Sequence, residues 1–312
     1  MEPTYNLVLY HVPTRQCISD FMVIRNMMVG RANDIQVHII SAGGVIPAEF
    51  WTKAAKRPTL IFSPSYLARI DVPARGTRLM SAGVSKLEEL RLLAGTGAAT
   101  PETHVITPDL KLDEAEWGPF TVVKPNKGLQ GRGVRLMRTR DVKWTNTAKL
   151  PKDDPRHGVD LLAQRYVDTG PLVTCYRVFT VLGRPIYSVT STAVEPRAPL
   201  DQAGDDTLDI AVAANGMPRK VALANDPEVI ALAKSIHKEV PYLPVMGIDI
   251  IREHGTGKLF ALEYNSGGGV WHLSSGHGLK QQHTHGIDYY RQFNALETIT
   301  DALIEATRTL AA

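Results

Sequence analysis

The sequence predicts an α/β protein with two lobes, on three observations: short apolar runs separated by helix-length stretches at the start, a glycine loop between two strands in the middle, and an acid-bearing β-hairpin near the end. At about 100 to 200 residues per domain, 312 residues allow two domains. We place an N-terminal α/β domain at 1–84 and a larger lobe at 85–312, the latter divided into 85–160 and 161–312. Apolar residues at 44% and charged residues at 21% exclude disordered and fibrous classes. The net charge of +3, with no run of like charge, argues against nucleic acid as a partner. Cys17 and Cys175 are too few for a disulfide framework and fit a reducing compartment. No basic start leads into an apolar run, and no stretch approaches the ~18 apolar residues of a membrane span. The expectation is a soluble cytoplasmic protein without a membrane partner.

The first lobe carries apolar runs at 7–12, 37–40 and 60–62. No G-x-G-x-x-G follows the first of them, which excludes a nicotinamide site there. A helix begins at Ser85, where Ser85 and Glu88 form a capping box and Leu87, Leu90 and Leu93 share a face; Gly95 and Gly97 end it before Pro101. Strands at 120–124 and 134–137 flank the loop "PNKGLQGRG". The polar stretch 143–160, with Pro151 and Pro155, reads as a surface connection. Strands follow at 161–167 and through "CYRVFTVLGRPIYSVTSTA", which folds into a hairpin at 183–185, and the acidic stretch 201–209 reads as a mobile loop. Asp226 and Pro227 are N-cap and first residue of a helix with Ile230, Ala233 and Ile236 on its apolar face. "MGIDII" and "LFALEYN" make the late hairpin. Tyr289, Phe293, Leu296, Ile299, Leu303, Ala306 and Leu310 recur at steps of three and four, predicting a closing amphipathic helix.

Two of these features carry chemistry. Gly128, Gly131 and Gly133 let backbone approach a bulky anion, with Lys124 at the base of the loop. No Gly-Lys-Ser/Thr follows, so this is not a P-loop, and alone it fits a structural hairpin equally well. In the late hairpin, a turn centred near Thr256 places Asp249 seven residues before the centre and Glu263 seven after, as a cross-strand pair. Asn265, two residues beyond Glu263, shares its face. Three hard oxygen donors suit magnesium shared with substrate phosphates. The alternative is a solvated acidic face, and Ile248, Ile250, Phe260 and Leu262 weigh against it because they pack the hairpin. His272, His277, His283 and His285 are dense enough to consider a second metal, since His283 and His285 would share a face if extended, but no carboxylate or cysteine completes a ligand set and the reading is rejected. Cys175 reads as packed rather than nucleophilic, Trp117 and Trp144 as packing residues, and Trp271 as a wall of an acceptor pocket.

In order and spacing, "SKLEELRLLAGTGAATP", "VVKPNKGLQGRGV", "LLAQRYV" with "YRVFTVLGRPIYS", and "GIDII" with "LEYNSGGG" resemble the ATP-grasp superfamily of ligases, nearest the ribosomal-protein glutamate ligase and glutathione synthetase branch. The resemblance implies an ATP-grasp fold preceded by a Rossmann-like α/β domain. It implies that Lys86 and Lys124 contact ATP, that the loop of Lys127, Gly128, Gln130, Gly131 and Gly133 closes over its phosphates, and that the hinge Gln164, Arg165, Tyr166 and Val167 binds adenine. Asp249, Glu263 and Asn265 would hold Mg2+, with Mn2+ the alternative, and Arg177 would act with Lys124 on the transferring phosphate. The implied reaction joins a small-molecule carboxylate to an amine, amino acid or peptide in kind, through an acyl phosphate. A phosphotransferase acting on a hydroxyl and a non-catalytic nucleotide-binding regulator are the alternatives, and a homo-oligomer is compatible with all three. Three positions depart from the family pattern. Arg165 and Tyr176 stand where acids for the hinge and ribose are usual, "SGGGVWHLSSGHG" replaces a Pro-Gly continuation, and the strand "SVTSTA" lacks an expected arginine, for which Arg197 is the candidate replacement.

Overall fold

The computed structural model describes residues 2–44, 52, 56–66, 76–81, 84–128, 131–202 and 218–312. In the first lobe, β1 (Tyr5–His11), β2 (Ile35–Ser41), β3 (Thr59–Ser63) and β4 (Thr77–Met80) form a parallel sheet in the order β2-β1-β3-β4, with α1 (Ile18–Arg31) crossing from β1 to β2. Leu7, Val8, Leu9, Leu60, Ile61 and Phe62 are all fully buried. Burial on both faces is why these strands read as unbroken apolar runs rather than alternating ones. β4 was not expected: of its four residues only Leu79 is buried, so no run marks it.

The larger lobe begins with α2 (Lys86–Gly95), whose capping box is present as expected. The Ser85 hydroxyl accepts from Glu88 N at 3.3 Å, and the Glu88 carboxylate accepts from Ser85 N at 2.7 Å. After β5 (Thr103–Val105) and the one-turn α3 (Glu114–Trp117) come β6 (Phe120–Pro125), β7 (Arg135–Arg138) and β8 (Leu161–Arg165), in the sheet order β5-β8-β6-β7. A second antiparallel sheet, β11-β10-β9-β12-β13, is built from β9 (Thr174–Val181), β10 (Arg184–Ala193), β11 (Arg219–Leu223), β12 (Val245–Arg252) and β13 (Leu259–Asn265). The β9–β10 turn is centred on Leu182 and Gly183, both at positive φ, with Val181 paired to Arg184. Pro185 therefore belongs to β10 and not to the turn. α4 (Pro227–Lys238) starts as expected, with Asp226 Oδ1 accepting from the backbone of Glu228 and Val229.

Two helices close the chain. α5 (Gly276–His285) carries His283 and His285 two residues apart on a helix, so they do not share a face as an extended reading would have them. α6 (Ala295–Leu310) starts six residues later than the apolar spacing suggests, because Asn294 adopts φ +48° and interrupts the helical path. Tyr289 and Phe293 precede it, and Tyr289 is buried against Tyr187 with ring centroids 4.3 Å apart. No helix among the described residues is long and apolar enough to cross a membrane.

One hydrophobic core crosses the expected boundary at 84/85. It joins Leu7, Leu9, Phe21, Ile24 and Phe62 to Phe179, Tyr187, Trp271, Leu273, Ile299 and Leu303. Buried Asp20 on α1 fastens this seam by accepting from Trp271 Nε1 at 2.7 Å, Ser274 Oγ at 2.6 Å and Tyr290 Oη at 2.9 Å. Trp271 is thus fully buried and lines no open pocket, which corrects the sequence reading. Trp117 packs as expected, whereas Trp144 is exposed rather than packed. Removing the Asp20 carboxylate leaves three donors unmet, each costing about 1–3 kcal/mol when buried. Asp20→Ala should lower unfolding free energy by about 3 kcal/mol or more in urea titrations, and a loss below about 1 kcal/mol would show that this carboxylate does not hold the seam.

Candidate active site

The site is assembled by the register of the second sheet. Asp249 on β12 pairs directly with Glu263 on β13, as the turn arithmetic requires, and a bulge after Asp249 shifts the next pair to Ile250 and Ala261. On its other side β12 lies against β9, where Asp249 pairs with Arg177. Arg177 donates to Asp249 through Nε and Nη2, both at 2.6 Å, in a two-pronged ion pair. Lys86, the first residue of α2, reaches across to Glu263 Oε2 at 2.5 Å. Its helix start is held to the base of the glycine loop, since Asn126 O accepts from Lys86 N and Asn126 Oδ1 from Leu87 N, both at 3.0 Å.

Lys124 and Gln164 come from the other sheet. In the β6–β8 register Val122 faces Gln164, so Lys124, two residues along β6, projects from the same side. Lys124 Nζ donates to Gln164 Oε1 at 3.1 Å and Gln164 Nε2 to Thr103 Oγ1 at 3.0 Å. Both side chains are buried. Gln164 thereby orients Lys124, a task the hinge assignment did not foresee. Of the other hinge residues, Arg165 is exposed, Val167 is buried and Tyr166 packs edge-on to Phe120. Arg197 does not join Arg177, Lys86 and Lys124: it bonds the Tyr166 hydroxyl and Asp168 and lies over the Tyr166 ring. Tyr166, Asp168 and Arg197 line a cavity of about 560 Å³ with Trp117, Phe120, Leu200 and His254, and Gln164, Arg165 and Val167 do not reach it.

In the glycine loop, Gly131 and Gly133 have φ of +69° and +76°. A Cβ at Gly133 would come within 3.1 Å of Pro155 and 3.2 Å of Arg156, so packing as well as conformation demands glycine there. Gly128 and exposed Lys127 have no such constraint from backbone φ. Gln130 and acidic residues 203–209 lie outside the described residues.

The electrostatics follow from burial among these charges. Burial pushes Lys124 down to about 8, helped by Lys86 and opposed by Glu263. Burial would raise Glu263, but Lys86, Lys124 and Arg177 hold it at about 2. Burial, with Glu263 adding to it, lifts Asp249 above its ordinary value against the pull of Arg177. Glu89, one turn along α2 from Lys86, was missed in the sequence; burial and the neighbouring acids Glu263 and Asp249 push it to about 8, against Lys86 and Lys124. Its i, i+3 spacing from Lys86 was the available signal, because such residues share a helix face. Burial pushes the Cys175 thiol up, away from nucleophilic character.

No family model and no curated protein matches the chain in sequence. Solved structures do match it. The ATP-grasp ligase PsnB, complexed with a phosphomimetic variant of its minimal precursor, Mg and ADP, aligns with 98% of this chain and 99% of its own at 14% identity and a TM-score of 0.52. A Chryseobacterium gregarium RiPP-associated ATP-grasp ligase, in complex with ADP and a leader and core peptide, aligns over 97% of each chain at 12% identity and a TM-score of 0.51. The chain has the ATP-grasp fold. D-alanine–D-alanine ligase from Bacillus anthracis, complexed with ATP, aligns over 97% of this chain and 98% of its own at 15% identity and a TM-score of 0.48.

Within the ATP-grasp fold of this chain, Arg177, Lys86 and Lys124 stand against the two carboxylates of the hairpin. A polyanion entering this site favours the charged form of Lys124. Since that lysine's folded pKa is near 8, its charge is present below that pH and lost above it. Binding of a nonhydrolysable ATP analogue should therefore take up a proton as pH rises through about 8, visible by calorimetry in buffers of different ionisation enthalpy. Glu89, also near 8, would add to the uptake, so Lys124→Arg should reduce it rather than abolish it, and identical uptake in wild type and variant would show that Lys124 does not meet the analogue.

Proposed function

We propose that this protein is an ATP-dependent carboxylate-amine ligase forming an amide or peptide bond through an acyl phosphate. The observation that carries the reading is the cross-strand pairing of buried Asp249 with half-buried Glu263 on β12 and β13, each with its own cation. Opposed carboxylates are costly, and a protein that keeps them side by side near a lysine-based loop has a site suited to divalent metal and polyphosphate. The donor set fits Mg2+. Its three side chains offer hard oxygens, and the Asn265 amide nitrogen is buried with no hydrogen-bond partner, so this side chain is not consumed in holding the fold. Among the described residues no three His, Cys, Asp or Glu side chains cluster to hold a metal, which leaves Asn265 as the third donor beside the two acids.

When bound, Mg2+ held by Asp249, Glu263 and Asn265 would offset phosphate charge and act as a Lewis acid on a phosphoryl oxygen. The chain's own residues do the rest. Lys86 and Lys124 bind the phosphates, while Gln164 keeps Lys124 aimed. The glycine loop from Lys127 to Gly133 closes over the phosphates and excludes water, protecting the reactive acyl phosphate from hydrolysis. Arg177 stabilises negative charge on the transferring group, with a planar fork that lysine cannot reproduce. The hinge 164–167 and the cavity beside Tyr166 take the base. The complexes of PsnB with Mg and ADP and of the Chryseobacterium ligase with ADP support ATP and Mg2+ as the partners here.

The test is a screen of amino acids and peptides for ADP release with mass spectrometry of the products. An amide product formed with ADP is expected, and a phosphorylated product without amide would overturn the ligase reading in favour of a phosphotransferase. Glu263→Gln keeps side-chain volume but removes a charge, and turnover should fall by about a hundredfold or more with the fold intact by circular dichroism. Arg177→Lys should slow turnover by about a hundredfold while changing ATP affinity far less. Full activity in either variant would contradict the roles given to them.

A further inference from the structure

The groups placed on nucleotide and metal leave His272 and His277 unused, yet the start of α5 presses the two together. Ser275 caps that helix, its hydroxyl accepting from Gly278 N at 3.1 Å, and its own N–H donates to Trp271 O at 3.1 Å. The first turn of α5 therefore lies directly on the stretch that carries His272. A Cβ added at Gly278 would come within 2.0 Å of His272 O and 2.4 Å of its Cα, so only glycine permits this approach. One turn further along, Gln282 Nε2 donates to His272 O and Leu273 O, both at 3.1 Å. The result is a ring contact, with the imidazoles of His272 and His277 edge to face and their centroids 5.1 Å apart. His272 is 4% exposed and stacks on Tyr187 at 5.9 Å, with Tyr289 at 6.1 Å, whereas His277 is exposed.

Sheet register sets where this pair stands. Glu263 on β13 opposes Asp249 on β12, Asp249 opposes Arg177 on β9, and Arg177 opposes Val189 on β10. Tyr187, two residues before Val189, shares its face and carries His272. His277 feels the charges of Arg219 on β11 and of Arg177. The two acids thus lie to one side of Arg177 and the two imidazoles to the other. Burial, with Arg177 and His277 adding to it, pushes His272 down to about 3, against a backbone hydrogen bond at Gly269. Burial and the cations Arg219, Arg177 and Lys280 also lower His277. Both rings are therefore neutral near pH 7. His272 is too weak a base to take a proton and too buried to pass one on, while His277 is open to solvent.

We propose that His277 is the base that takes a proton from the attacking amine, with His272 as a positioning residue that fixes its ring. The inference rests on the ligase reading and adds the base which that reaction requires. An ammonium group cannot attack, and turning it into an amide nitrogen releases two protons. As the N–C bond forms, the bond from the acyl carbon to the phosphate oxygen breaks, and its electron pair leaves with the phosphate. His277 takes one proton from nitrogen and hands it to solvent, and the departing phosphate takes the other. The order across the sheet suits this division. Phosphate departs on the side of Arg177 that holds Lys86 and the acids, and the amine enters on the side of the imidazoles.

The test supplies the full chain with ATP, Mg2+ and a mixture of common amino acids and short peptides, and compares two products. One is the amide. The other is the hydroxamate formed when hydroxylamine, an amine already uncharged at neutral pH, traps the acyl phosphate. In His277→Gln, amide formation should fall about a hundredfold, the usual contribution of a general base, while hydroxamate formation changes by less than about threefold. Free imidazole should restore part of the amide rate in His277→Ala, because the position is exposed. His272→Ala should show the same split between the two products to a smaller degree. Undiminished amide formation in His277→Gln, or amide and hydroxamate falling together, would overturn the assignment and leave the ligase standing. A wild-type chain that forms neither product would remove both.

Discussion

Everything at this site depends on two carboxylates placed opposite one another in a packed hairpin, Asp249 buried and Glu263 half-buried. Cross-strand like charges repel, and burial makes each costlier. The chain answers each with a dedicated cation from a different element, Arg177 from β9 and Lys86 from the first turn of α2. These pairings in turn fix what must surround them. β9 has to lie beside β12 in the register that opposes Arg177 and Asp249, and the start of α2 has to be tied to Asn126 beneath the glycine loop. A shift of β9 against β12 would strand the buried Asp249 carboxylate, at a cost of several kcal/mol. The electrostatics of the site and the topology of the sheet are thus one constraint.

Lys124 shows the same economy in the other sheet. A buried ammonium loses solvation, and its pKa falls toward 8; Gln164 supplies one acceptor and Thr103 fixes Gln164 in turn. The two sheets therefore bring to one place a partly desolvated lysine and an acid pair already matched by cations. Such an arrangement leaves positive charge in excess where a polyphosphate would lie, and it does so before any ligand arrives, which is what electrostatic preorganisation means.

How far the sequence reveals this varies with the range of the interaction. Local patterns translate directly: the Ser85–Glu88 capping box, the Asp226-Pro227 helix start and the Asp249–Glu263 pairing all follow from spacing along a single element or hairpin. The hairpin arithmetic survives the bulge because the bulge falls after Asp249, toward the turn, and Glu263 remains opposite. Interactions between distant segments leave no such trace. The Asp20 hub unites residues more than 250 positions apart, Arg197 folds onto Tyr166 and Asp168 rather than beside Arg177 and Lys86, and β4 leaves only Leu79 buried. Asn294 stops α6 short of Phe293 by backbone conformation alone, against a periodicity that runs on through it. His277 belongs to the same class, since only the folded chain brings it within reach of the Arg177 and Arg219 charges.

The central claim is that these charges serve to activate a carboxylate. If a carboxylate attacks the γ-phosphorus, one of its own oxygens leaves with the phosphate when an amine displaces it from the acyl group. The direct measurement supplies the carboxylate substrate labelled with heavy oxygen at both positions and analyses the released inorganic phosphate by mass spectrometry. The account requires one labelled oxygen in each phosphate formed with the amide product. Amide formed with unlabelled phosphate would mean activation by another route, and would contradict it.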